Sequence, residues 1–218
     1  MPGLLGLLRR LVPDALVRLV RKAGTPVPVA PAEREQRALA ALAGPRAYYC
    51  LGAGGRKGKI LGDYVPREGE AALLTKQRRA RGSVYADCSG AIAGVLGLDR
   101  RIPDYARSWG YFSTDGVLAD AQDPAVELVA FAKIGEGARP WEFLVVYGSA
   151  DRDGDGDRDV IGHIGIIAKV PEGWVYTGSA SLRALTIWHC AASTAATGAI
   201  RLSDGQPWAK TGKLLQIL

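Results

Sequence analysis

Asp87-Cys88-Ser89-Gly90-Ala91-Ile92-Ala93-Gly94-Val95-Leu96-Gly97 is the stretch from which the rest of the chain can be read. Asp87 is of the type that caps a helix, because its carboxylate can accept a first-turn N–H. Apolar residues then fall on nearly every side until Gly97, so this is a buried helix rather than an amphipathic surface one. A cysteine in its first turn meets free backbone N–H groups and the positive end of the helix dipole, both of which favour thiolate over thiol.

A thiolate that attacks an amide needs a base to carry the proton, and a third polar group to orient that base. The chain has only two histidines, His163 and His189. Each starts or ends a β-branched, aromatic-rich run: HIGIIAKV (163 to 170) and ALTIWH (184 to 189). EFLVVY (142 to 147) and GWVYT (173 to 177) read as further strands. On its strand His163 shares a face with Gly165 and Ile167, and the small residue leaves room for another group, such as a helix-borne cysteine, to approach. Spacing alone keeps two readings open: a Cys88, His163, His189 set, or a structural cysteine with two satisfied histidines.

Working outward, EREQRALAALAG reads as a short helix stopped by Gly44 and Pro45, preceded by the proline-rich linker TPVPVAPAE (25 to 33). Residues 48 to 81 are glycine-rich and basic and read as loops. Asp123 and Pro124 look like the cap and first position of a helix running to Gly135. Helices first and an antiparallel sheet second is an α+β layout.

The composition is that of an ordinary globular chain, 48% hydrophobic and 23% charged over 218 residues. That length suits one domain with an appendage: residues 1 to 44 as an N-terminal helical extension and linker, 45 to 218 as the site-bearing domain. A net charge of +6 favours polyanionic partners. Nucleic acid is not expected, since the basic residues form no stripe interleaved with aromatics. Three cysteines are too few, and odd in number, for a disulfide framework; Cys50 and Cys190 read as small buried hydrophobes.

The first 22 residues, MPGLLGLLRRLVPDALVRLVRK, place leucines at helical spacing with arginines between them. The arginines interrupt any apolar core of a secretory signal, and no signal is expected. Such a segment either packs on its own domain or makes weak contact with an anionic membrane surface.

A second motif places Asp151, Asp153, Asp155, Asp157 and Asp159 at alternate positions around Gly156. Calcium loops have this pattern, although Gly162 stands where an EF-hand carries its bidentate glutamate. A structural calcium ion and a solvated acidic turn are the two readings of it.

Asp87-Cys88-Ser89-Gly90 before an apolar helix resembles the nucleophile motif of NlpC-type cell-wall peptidases. Gly162-His163-Ile164-Gly165-Ile166-Ile167 is similar to their histidine strand, and Tyr49-Cys50-Leu51-Gly52 with Gly54-Gly55 to the stretch that precedes the nucleophile. The resemblance covers residues 45 to 210. It implies a papain-like α+β fold, with the nucleophile helix packed on the antiparallel sheet. It further implies hydrolysis of an amide in bacterial peptidoglycan, either in the stem peptide or, as in the related CHAP branch, between sugar and peptide, with no metal or cofactor in the reaction. Cys88 would be nucleophile, His163 base and His189 the orienting group, with Thr177 the alternative by spacing. Tyr49, Asp87 and Ser89 would serve substrate and oxyanion. A monomer reaching the wall by lysis, phage delivery or specialised secretion is the expectation. The competing readings are a non-catalytic wall- or calcium-binding module, and a membrane-associated thiol acyltransferase.

Overall fold

The computed structural model describes residues 26–66, 68–80, 84–102, 112–123, 128–150, 160–192 and 198–218. The first 22 residues and the aspartates from Asp151 to Asp159 therefore lie outside the described residues. No described helix is long and apolar enough to cross a membrane.

The architecture is α+β. Helix α1 (Pro31–Ala43) leads into β1 (Ala47–Tyr49), then α2 (Ala72–Ala80), β2 (Val84–Ala86), α3 (Cys88–Val95) and α4 (Thr114–Gln122). The sheet strands follow: β3 (Val129–Phe131), β4 (Phe143–Ala150), β5 (Val160–Lys169), β6 (Thr186–Cys190), β7 (Ile200–Asp204) and β8 (Gly212–Ile217). A 3-10 helix at Ser179–Ala184 precedes β6. The six strands form one antiparallel sheet in the order β3-β8-β4-β5-β6-β7, and β1 pairs with β2 in a separate parallel ribbon.

Both faces of the sheet are covered, which is why EFLVVY reads as continuously apolar instead of alternating. Leu144, Val146, Ile164, Ile166 and Trp188 face α3, whose eight residues are all buried. Val145, Ile167, Ile187 and Leu214 face the other way, onto Trp208 and Leu182. Helix α1 belongs to the first layer. Trp188 Nε1 donates to Ala38 O at 3.2 Å, and the buried Arg34 donates to Val29 O and Trp141 O at 2.7 Å each.

Two expected elements are replaced. The helix expected from Asp123 to Gly135 is not formed by its described residues 128 to 135, because Val129–Phe131 is an edge strand paired with Leu215 to Ile217 of β8. Asp120 enforces the change: its Oδ2 accepts the N–H groups of Leu128 and Val129, both at 2.9 Å, and so satisfies donors that a helix would have bonded internally. The helix lies earlier, capped by Ser113, whose Oγ accepts the Gly116 N–H at 3.0 Å. The run GWVYT does not join the sheet. After a turn at Gly173 (φ +68°) it makes a lone bridge with Gly137, and Tyr176 exchanges backbone bonds with Gly135 and Glu136. β7 and β8 carry no strand signal strong enough to have been expected, yet β8 lies inside the sheet between β3 and β4.

Candidate active site

Asp87 caps α3 in the way its residue type suggests, and it does more. Its Oδ1 accepts the Gly90 N–H and its Oδ2 the Gly52 N–H, each at 2.6 Å, so one carboxylate ties the helix to the loop after β1. Arg100 completes the clamp. From a side chain sealed from solvent it donates to Asp87 Oδ2 at 3.0 Å, Ser89 Oγ at 2.9 Å and Ala53 O at 3.0 Å. Nothing in the sequence marks Arg100 for this role except its distance of twelve residues from the cysteine. Gly90 is required by the same closeness: a Cβ there would lie 2.4 Å from Ala53 O and 2.7 Å from Arg100 Nη1.

Cys88 opens this helix and is 6% exposed. Its sulfur takes hydrogen bonds from the Ser89 N–H, the Tyr49 hydroxyl and the Ile164 N–H, all of which favour the thiolate. They are outweighed, first by burial and then by the Asp87 carboxylate, so the thiol stands above its ordinary value. The helix start by itself pointed the other way; desolvation reverses the sign. Burial, then the negative charges of Cys88 and Asp87, likewise hold the Tyr49 phenol protonated and available as a donor. Cys190 is fully buried, its thiol raised by burial first, and it donates to Ala86 O at 3.5 Å. Cys50 is only partly buried, with Sγ 3.4 Å from Val65 O.

The two histidines meet. His163 Nε2 lies 2.7 Å from His189 Nδ1, from adjacent strands in which Gly165 pairs with His189. Trp208 packs against both rings, with centroid distances of 5.7 Å to His163 and 5.0 Å to His189. Burial is the main reason that both resist protonation. His163 is lowered to about 4, with Arg201 adding to the effect. His189 is lowered to about 3, with His163 and then Arg201 adding to it. Thr177, the alternative third residue, lies in an exposed loop where its N–H donates to Ser181 Oγ at 3.2 Å.

Cys88 reaches β5 by a different route from the one the strand pattern suggests. The space beside Gly165 belongs to β6, since a Cβ there would lie 2.5 Å from Ile187 Cγ2 and 3.4 Å from His189 Cβ. The pleat sends Ile164 and Ile166 toward α3, and His163 and Gly165 toward Trp208. The thiol instead comes near the backbone of Ile164, one residue after His163, and hydrogen bonding from that backbone favours the thiolate. The β5 to β6 ladder starts at Gly165, whereas Ile164 is already paired with Val146 of β4.

The structure thus places a buried thiol with nearby N–H and O–H donors at the start of α3, and a neutral imidazole pair at the start of β5 and the end of β6. Among the described residues no group of acidic, cysteine and histidine side chains could hold a metal ion. The acidic motif from Asp151 to Asp159 forms the connection between β4 and β5. In comparison with known proteins, the chain matches no protein-family model, no curated protein and no solved structure.

Proposed function

We propose that the chain is a papain-like cysteine hydrolase that cuts an amide bond of bacterial peptidoglycan, with Cys88 as nucleophile, His163 as base and His189 as the group that orients it. The observation that carries this reading is the 2.7 Å His163 Nε2 to His189 Nδ1 pair, placed on the strand whose next peptide N–H bonds the Cys88 sulfur. With Nε2 engaged, Nδ1 is the nitrogen left to take the thiol proton, and it is the ring nitrogen nearest the backbone that the sulfur meets. The α+β layout and the buried, N-capped helix that opens on Cys88 support the papain-like assignment.

In this scheme Cys88 Sγ attacks the amide carbonyl carbon as its proton passes to His163 Nδ1. The resulting oxyanion is stabilised by the first-turn N–H of Cys88, which has no helical acceptor, and by the Tyr49 hydroxyl. Collapse breaks the C–N bond, and His163 returns the proton to the leaving amine, leaving a thioester on Cys88. Water, deprotonated by His163, then attacks the thioester; the product leaves as a carboxylic acid and the thiol is restored. The His163 Nε2–H donates to His189 Nδ1 throughout, which holds one tautomer and supports the imidazolium while it exists. The net positive charge favours retention on the anionic wall.

Mass spectrometry of purified peptidoglycan after incubation tests the reading. Soluble muropeptides should appear with the wild-type protein and not with Cys88→Ala, and the fragment masses identify the bond cut. Release by neither protein across pH and calcium concentration would remove the hydrolase and leave a wall-binding module on this fold.

A further inference from the structure

The proton path just described fixes which nitrogens carry hydrogen. If His163 Nδ1 accepts from the thiol, its Nε2 bears the proton and donates to His189 Nδ1. A neutral His189 must then carry its own hydrogen on Nε2. That atom is buried and meets no acceptor.

It is not alone. Arg201 Nε and Trp208 Nε1 are also buried nitrogen donors without an acceptor. Trp208 stands perpendicular to His189 with ring centres 5.0 Å apart, and Arg201 is the direct cross-strand neighbour of His189 in the β6 to β7 ladder. Arg201 has one hydrogen bond, from Nη2 to Ala192 O at 2.8 Å, and no carboxylate partner among the described residues. A buried donor left unsatisfied costs about 1 to 3 kcal/mol, and more when it is charged. Carried by His189 and by the two residues beside it, one of them a cation, these three are a surplus of donors that calls for an acceptor.

Resting on the tautomer that the hydrolase reading requires, we infer that His189 Nε2, Arg201 Nε and Trp208 Nε1 form a binding site for a small monovalent anion of halide size. Water fits the site less well. It brings two hydrogens of its own into a place that offers only donors, and it brings no negative charge to the half-buried guanidinium of Arg201. A divalent or polyatomic anion is disfavoured by burial, since His189 is 6% exposed and Trp208 fully covered. A bound anion would sit behind His189, on the side away from His163, and would tie the orienting histidine to β7. It would therefore act as a positioning element and would not touch the substrate.

The test uses the full-length Cys88→Ala protein, so that it does not depend on any hydrolysis. Chloride NMR linewidths are followed as protein is added at constant ionic strength, with gluconate as the balancing anion, and then as bromide is added. Saturable excess broadening that bromide reverses, and that is lost in the Cys88→Ala, Arg201→Gln protein, is the expected result. Equal linewidths with and without Arg201 in two folded proteins would overturn the site. Should the Arg201 variant not fold, crystals of Cys88→Ala grown in bromide decide the matter. An anomalous peak within hydrogen-bonding distance of His189 Nε2 and Arg201 Nε supports the anion, and density with no anomalous signal there means water and overturns it. A site that binds halide in a protein whose wild type releases no muropeptides would stand while the hydrolase reading fell; the reverse pattern would remove the anion and leave the hydrolase.

Discussion

Arg100 Nη2 and Asp87 Oδ2 lie 3.0 Å apart in an ion pair whose side chains are 3% and 2% exposed. Asp87 is also the cap of the Cys88 helix and the acceptor for Gly52, so this pair fixes where the thiol points. Removing one partner of a buried pair leaves the other charged and unpaired, at a cost of about 3 to 5 kcal/mol. Arg100→Met should therefore lower the urea midpoint by a corresponding amount. Unchanged stability would show that the clamp is not needed to hold the helix start.

In the proposed mechanism His189 touches His163 and not the reacting bond. His189→Ala should lower kcat by roughly 10²- to 10⁴-fold, the range associated with positioned acid–base groups, while KM changes little. Steady-state kinetics on a synthetic stem peptide separates the two parameters. A large rise in KM with kcat unchanged would place His189 in substrate binding.

Stability should fall as the solution is acidified from neutrality, before most carboxylates titrate. In the unfolded chain both histidines titrate near 6.5, whereas burial holds them to about 4 and about 3 in the fold. Above pH 6.5 both states are neutral and the contribution is complete. Below it the unfolded chain binds protons that the folded chain refuses, and the contribution is lost as pH falls toward the folded values, by at most about 1.4 kcal/mol per pH unit for each histidine. Urea titrations at pH 7 and pH 5 measure it. A wild-type protein equally stable at both values would contradict the burial of the pair. Because His163 stays neutral down to about 4, the acid limb of kcat/KM should also lie below pH 5.

Gly90→Ala puts a methyl group 2.4 Å from Ala53 O, a backbone atom with no rotamer to give way. Overpacking of this kind costs about 1 to 3 kcal/mol. Activity should fall further than stability alone accounts for, since the atoms displaced belong to the Asp87 and Arg100 clamp. Calorimetry and turnover measured on the same preparation check this, and full activity at reduced stability would show that the clamp tolerates the shift.

What the sequence determined by itself was local. The cap, the apolar surround and the stop of the Cys88 helix are written in consecutive residues from Asp87 to Gly97, and β4, β5 and β6 are long enough in β-branched and aromatic residues to be read as strands. The two histidines stood out because the chain has no others. What only the tertiary structure decided depends on partners distant along the chain. Val129 to Phe131 became a strand because Asp120 and β8 satisfy its backbone, and a helix pattern cannot reveal an acceptor supplied by another segment. Arg100 acts through charge in a desolvated setting and the half-buried Arg201 through charge beside the two buried histidines, and their own sequence neighbours carry no trace of it. The sign of the Cys88 shift follows the same rule: a helix start favours thiolate through nearby dipoles, but burial is a property of the whole fold, and here it prevails.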